Sequence, residues 1–172
     1  MLCLGVEMNQ ICFKHLDKLE FENILPRMFA ILHANMSVIA PTGNSYESDF
    51  QIWVSHILPV LNAKSRETIL FYVNGELVGY FRYFLDENMQ LLFEDIQIES
   101  KFQGMGIFSS CLKWLVNRLP KNILGVEAYV DKRNNRSRAI LEHFGLKCKG
   151  ENKNGISLYL TGDYSDFYNK FC

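Results

Sequence analysis

The sequence predicts a mixed α/β domain in which an antiparallel meander of three strands is followed by a β-α-β crossover, with helices on the flanks. Three stretches carry that prediction. Asn74-Gly75 separates two runs rich in β-branched and aromatic residues, the mark of a tight hairpin. Residues 91–119 pass from a strand-like run through Gly104-Met105-Gly106 into a segment with Phe108, Cys111, Leu112, Leu115 and Leu119 at helical spacing. Residues 134–144 form an Asn-led helical stretch that stops at Gly145, between two further strand-like runs.

In chain order, residues 9–13 suit a first short strand. A helical region follows from Asp17, with Ile24, Leu25, Met28, Phe29, Leu32 and Met36 on one stripe. Pro26 lacks an N–H, so the helix is expected to break or kink there, or to begin there with the proline in its first turn. Residues 37–44, with Pro41 and Gly43, read as a loop, and Ser45 as the N-cap of a second helix carrying Phe50, Trp53, Ile57 and Leu61. The hairpin over 68–73 and 76–85 turns again at Asp86-Glu87-Asn88 into the strand over 89–98. The helix after Gly106 crosses to a strand over 123–130, a unit that should be right-handed. A last hairpin joins 146–150 to 156–161 through Asn152-Lys153-Asn154-Gly155. Tyr164, Phe167, Tyr168 and Phe171 make the tail aromatic enough to dock on the body or on a second copy of the chain, as a homodimer.

Composition narrows the function classes. A chain of 172 residues, 48% of them apolar, suits one domain spanning residues 1–172 with a sizeable core. A formal charge of −1 argues against a general nucleic-acid or membrane-surface binder. No run approaches the length of a transmembrane helix, and the first seven residues lack the basic lead of a signal peptide. Five cysteines (Cys3, Cys12, Cys111, Cys148, Cys172) with no C-x-x-C pair read as reduced thiols of a cytoplasmic protein, with no metal.

A strand, a glycine-bearing turn and a helix in succession make an anion site. The first amides of the helix have no intrahelical acceptor, the helix dipole favours negative charge there, and glycine lets a phosphate approach the backbone. The spacing discriminates among such cradles. A Walker loop needs Lys-Ser/Thr where Ile107-Phe108 stands, and a dinucleotide fingerprint needs a glycine at Ser109. Gln103-Gly104-Met105-Gly106-Ile107-Phe108 instead resembles the acetyl-CoA loop of the GNAT superfamily of N-acetyltransferases. The stretch from Asn134 through Ser137, Leu141 and Phe144 to Gly145 looks like that family's second signature. The resemblance covers roughly residues 68–161.

The resemblance implies a GNAT-like fold and a direct transfer of acetyl from acetyl-CoA, as co-substrate, to a primary amine. It nominates Ile96, Gln97 and Ile98 for the pantetheine. Gln103, Gly104, Met105, Gly106, Ile107, Phe108 and Ser109 are nominated for the pyrophosphate, with Asn134 and Arg138 as further cofactor contacts. The basic cluster Lys132, Arg133, Arg136, Arg138, Lys147 and Lys149 suits phosphate, or equally a plain solvated face. Deprotonating an alkylamine of pKa about 10 calls for a general base. Glu94, Glu127 and Tyr129 are the candidates, Glu127 and Tyr129 sharing a strand face by alternation. Asp95 is expected to face away from Glu94. Acidic residues around that site favour a cationic small molecule or a peptide amine as acceptor. Two positions depart from the family pattern: Phe108, where a small residue is usual, and Leu141, where many relatives place an acidic tyrosine. They motivate the alternative of a non-catalytic acyl-CoA-binding module.

Overall fold

The computed structural model describes residues 10–17, 19–61 and 66–171. Among these residues seven strands form one sheet: β1 (Ile11–His15), β2 (Arg66–Val73), β3 (Glu76–Leu85), β4 (Gln90–Ile98), β5 (Gly125–Asp131), β6 (Lys147–Glu151) and β7 (Ser157–Asp163). Their spatial order is β1-β2-β3-β4-β5-β7-β6, and every pairing is antiparallel except β4 with β5. The helices are α1 (Phe21–Met36), α2 (Tyr46–Leu61), α3 (Ile107–Val116), α4 (Asn135–His143) and α5 (Tyr164–Tyr168). The mixed sheet with flanking helices is the architecture expected.

The strand sequences explain the layering. In β2, Ile69, Phe71 and Val73 point to one face and Leu70 to the other, and all four are buried. A strand covered on both sides reads as a continuous apolar run. One face packs on α3, α4 and α5 through Phe81, Phe93, Cys111, Leu112, Leu115 and Phe167. The opposite face meets α1 through Met28, Leu70 and Tyr80, and α1 meets α2 through Phe21, Leu25, Ile57 and Leu61. The β2–β3 turn has φ of 51° at Asn74 and 81° at Gly75, the two left-handed residues expected of that dipeptide. Ser45 caps α2, its Oγ accepting from the Ser48 amide at 3.2 Å.

Several expectations need correction. β1 runs on to His15, two residues past the expected end at Phe13, and the expected start at Asn9 lies outside the described residues. α1 begins at Phe21 and carries Pro26 in its interior. The missing amide costs one bond, to the Glu22 carbonyl, but burial of Phe21 and Leu25 against Ile57 and Leu61 holds the first turn in place. α3 stops at Val116, three residues before Leu119, where the Asn117 side chain takes the Lys113 carbonyl at 2.8 Å. The aromatic tail docks on the body: Tyr164, Phe167 and Phe171 join the main core.

The most consequential difference is in β4. Arg82 pairs with Asp95 and Tyr83 with Phe93, so Glu94 is an extra residue bulged out of the ladder. Simple alternation put Asp95 opposite Glu94. The bulge places both carboxylates on the α1 face, where Arg82 lies 3.1 Å from Glu94 and 4.0 Å from Asp95.

Candidate functional site

β4 and β5 pair in parallel only from Gln90–Gly125 to Phe93–Ala128. Beyond that the strands part, and β4 continues to Ile98 with its β5 side unpaired. A groove of about 1050 Å³ opens there, walled by Ile96, Gln97 and Ile98, by the loop entering α3, and by the start of α4. Of the nominated cofactor positions, Gln103, Gly104, Gly106, Ile107, Phe108, Ser109 and Asn134 also line it. Met105 sits in the loop with its side chain turned to solvent, and Arg138 lies outside the lining, in an ion pair with Glu142 at 2.9 Å. The signal was in the spacing, since Glu142 lies four residues after Arg138 on the predicted helix.

The loop is preformed for an anion. Gly104 and Gly106 hold φ of +83° and +74°, and Gly106 is the N-cap residue of α3. A Cβ on either glycine would meet open space, so the backbone is accessible from the groove. The amides at the start of α3 lack intrahelical acceptors, which suits a pyrophosphate, and the unpaired edge of β4 offers peptide groups to a pantetheine's amides. The groove therefore fits the two central parts of coenzyme A. The Phe108 ring leaves it for the core, packing against Phe81, Phe93 and Phe144 at centroid distances of 5.2, 6.2 and 5.7 Å. Its amide stays at the helix start, so the bulky side chain does not fill the cradle.

A polar chain that sequence reasoning missed braces this edge. Asn35 of α1 donates to the Gln97 side chain at 2.9 Å and to the Ile98 carbonyl at 3.0 Å. Gln103 donates to the same carbonyl at 2.7 Å and accepts from Arg136 on α4. Within the basic cluster, Lys132, Arg133 and Arg138 are each paired with a carboxylate, whereas Arg136 is held by a neutral amide at the groove. The Asn134 Oδ1 accepts from the Ser137 amide at 3.0 Å and caps α4, which leaves its Nδ2 as the group able to donate into the groove. Leu141 lines the groove and is buried.

On the α1 face of the sheet, the catalytic candidates differ in their surroundings. Glu94 is clamped by two arginines, Oε1 with Arg66 at 2.8 Å and Oε2 with Arg82 at 3.1 Å. Asp95 accepts from Tyr80 and from Gln97, each at 2.9 Å. Burial pushes the Asp95 carboxyl up, against the opposing pull of Arg82 and of those two bonds. Burial and the adjacent Asp95 push the Tyr80 phenol up as well. Glu127 stands beside Leu92 just before the strands part, and Tyr129 one residue past the last β4–β5 pair. Tyr129 is 49% exposed and packs on Tyr159 at 5.2 Å. Burial, and then its bond to Glu127, raise the Tyr159 phenol. The clamp on Glu94 escaped the sequence because Arg66 and Arg82 meet it only through strand register.

Among the described residues no group of three His, Cys, Asp or Glu side chains is placed to share a metal ion, and no helix is long and apolar enough to cross a membrane.

Solved structures share this architecture. An acetyltransferase from Thermus thermophilus superposes with a TM-score of 0.70 over 91% of this chain and 99% of its own, at 16% identity. The PaiA N-acetyltransferase from Thermoplasma acidophilum, solved with coenzyme A, gives 0.68 over 90% and 99%, at 12% identity. The aminoglycoside acetyltransferase AAC(6')-Ib, solved with coenzyme A and kanamycin, gives 0.67 over 95% and 100%, at 14% identity. No curated protein matches at the level of sequence. Residues 25–146, most of the chain, match the Acetyltransferase (GNAT) family, and the chain belongs to that family.

Proposed function

We propose that this acetyltransferase moves the acetyl group of acetyl-CoA to a primary amine by direct attack. The observation that carries the proposal is the parting of β4 and β5 after Phe93 and Ala128, where the groove opens one residue from Glu127 and next to Tyr129 along β5, although neither side chain is part of its lining. Acetyl-CoA supplies an activated acyl carbon in its thioester. The amine nitrogen bonds to that carbon, the C–S bond breaks, the amine gives up a proton and the thiolate gains one.

The residues divide the work by what already holds them. Both Glu94 oxygens are engaged by arginines, so Glu94 shapes the face and has no oxygen turned to an acceptor amine. Glu127 is the base that fits best, since it lies on β5 beside the split and its hydrogen-bond partner there, the Tyr159 phenol, is neutral. Tyr129, next to the split and half exposed, is the proton donor to the thiolate in place of the absent tyrosine at Leu141. With Glu94 already neutralised by Arg66 and Arg82, Glu127 is the carboxylate on this face that favours a cationic acceptor, and AAC(6')-Ib, an aminoglycoside acetyltransferase solved with kanamycin, is a structural neighbour.

The test is release of free thiol from acetyl-CoA across a panel of aminoglycosides, polyamines and peptide amines. Amine-dependent release is the expected result, with Glu127→Gln lowering kcat about hundredfold and flattening the basic rise of the pH profile. Tight acetyl-CoA binding with no release for any amine would contradict transfer and leave an acyl-CoA-binding module.

A further inference from the structure

A second cavity of about 540 Å³ adjoins the groove and shares Ser109, His143 and Phe144 with it. Its remaining walls include Lys113 of α3 and Lys170 of the C-terminal tail. Coenzyme A has a fixed order of parts: thioester, pantetheine, pyrophosphate, then a ribose bearing a 3′-phosphate and adenine. With pantetheine along residues 96–98 and pyrophosphate on the amides of 104–109, the chain of atoms must leave past Ser109. The second cavity lies there.

We propose that Lys113 and Lys170 bind the 3′-phosphate in this cavity and thereby select coenzyme A over its 3′-dephospho form. This rests on the acetyl-CoA reading above. Lys113 is four residues after Ser109 and so lies on the same face of α3, one turn farther on. Lys170 is held in position by one bond, its Nζ donating to the His143 carbonyl at 3.1 Å, and an ammonium has three donors. The lysines in ion pairs among the described residues are Lys14, Lys101 and Lys132, so Lys113 and Lys170 keep their charge for an incoming anion. The cations of the α4 cluster are in the opposite situation, with Lys132, Arg133 and Arg138 already neutralised by Glu151, Asp131 and Glu142. Lys170 also lies beyond residues 25–146, the part matched to the family, so this half of the site belongs to the chain's own tail.

Calorimetric titration with coenzyme A and with 3′-dephospho-coenzyme A tests the proposal, on the protein and on Lys113→Ala, Lys170→Ala and the double variant. The protein should prefer coenzyme A by about tenfold, equivalent to about 1.4 kcal/mol, and the preference should shrink as salt rises. The double variant should bind both ligands alike, with the affinity for the dephospho form unchanged. Equal affinities in the unmodified protein, or a preference that survives in the double variant, would overturn the proposal and leave the acetyl-CoA reading standing. Binding of neither ligand would overturn both. Because Lys170 also fastens the tail, Lys113→Ala, at an exposed helix position, carries the test if the Lys170 variants fail to fold.

Discussion

The two faces of the β4–β5 split are built by different means. On the groove side the functional groups are backbone: the amides entering α3, the unpaired edge of β4, and two glycines at positive φ. On the α1 side they are side chains, and their arrangement depends on one bulged residue and on the register of three strands. A site made of backbone leaves a local trace in sequence, as glycines and caps at fixed offsets. A site made of side chains from separate strands leaves none.

Phe108 offers the largest test of that contrast. If its ring belongs to the core and only its amide to the groove, Phe108→Ala should destabilise the protein by about 4 kcal/mol and leave coenzyme A affinity nearly unchanged in the folded fraction. Chemical denaturation and a titration of the same sample would check both halves. Tighter binding with little loss of stability would mean the ring obstructs the cradle.

Glu94 sharpens the other side. Arg82 is 11% exposed, with Glu94 at 3.1 Å as its nearer charge partner and Asp95 at 4.0 Å. Glu94→Ala should therefore cost about 3 kcal/mol of stability, since it leaves a nearly buried guanidinium with only the longer contact to Asp95. Thermal unfolding reads this directly. A variant of normal stability that has lost only turnover would show Glu94 to be a working base and reverse the roles assigned to Glu94 and Glu127.

A smaller effect is expected at Asp95, and its sign follows from the raised carboxyl. The folded protein holds the Asp95 proton at pH values where the unfolded chain has released it. That contribution to stability is complete below the ordinary carboxylate range and is lost as pH rises through the folded value. Asp95→Asn, which keeps the shape and removes the ionisation, should compare more favourably with the unmodified protein at pH 7 than at pH 3.5. Paired unfolding curves at the two pH values suffice, and the opposite trend would contradict burial as the dominant cause.

Legibility followed the same division. The hairpin at Asn74-Gly75, the glycine loop, the crossover and the helix from Asn134 to Gly145 were all readable, because each is set by residues close in the chain. Pro26 misled because its local penalty is outweighed by the packing of Phe21 and Leu25 on Ile57 and Leu61 of α2, far along the chain. Asp95 misled because alternation holds only until a bulge interrupts it, and no residue type around Glu94 announces one. Arg138 was legible and overlooked, because Glu142 stands four residues on along the same helix and pairs with it.

The central claim is that the loop amides and the parted strands form a coenzyme A site. Calorimetric titration of the protein with acetyl-CoA, beside Gly106→Glu, tests it most directly. The Gly106 Cβ position faces open space, so the glutamate adds a like charge at the pyrophosphate and only about 1–2 kcal/mol of backbone strain. The account predicts saturable micromolar binding to the unmodified protein and at least a hundredfold loss in the variant, with the variant still folded. Equal affinity in the two proteins, or no binding to either at millimolar ligand, would contradict it.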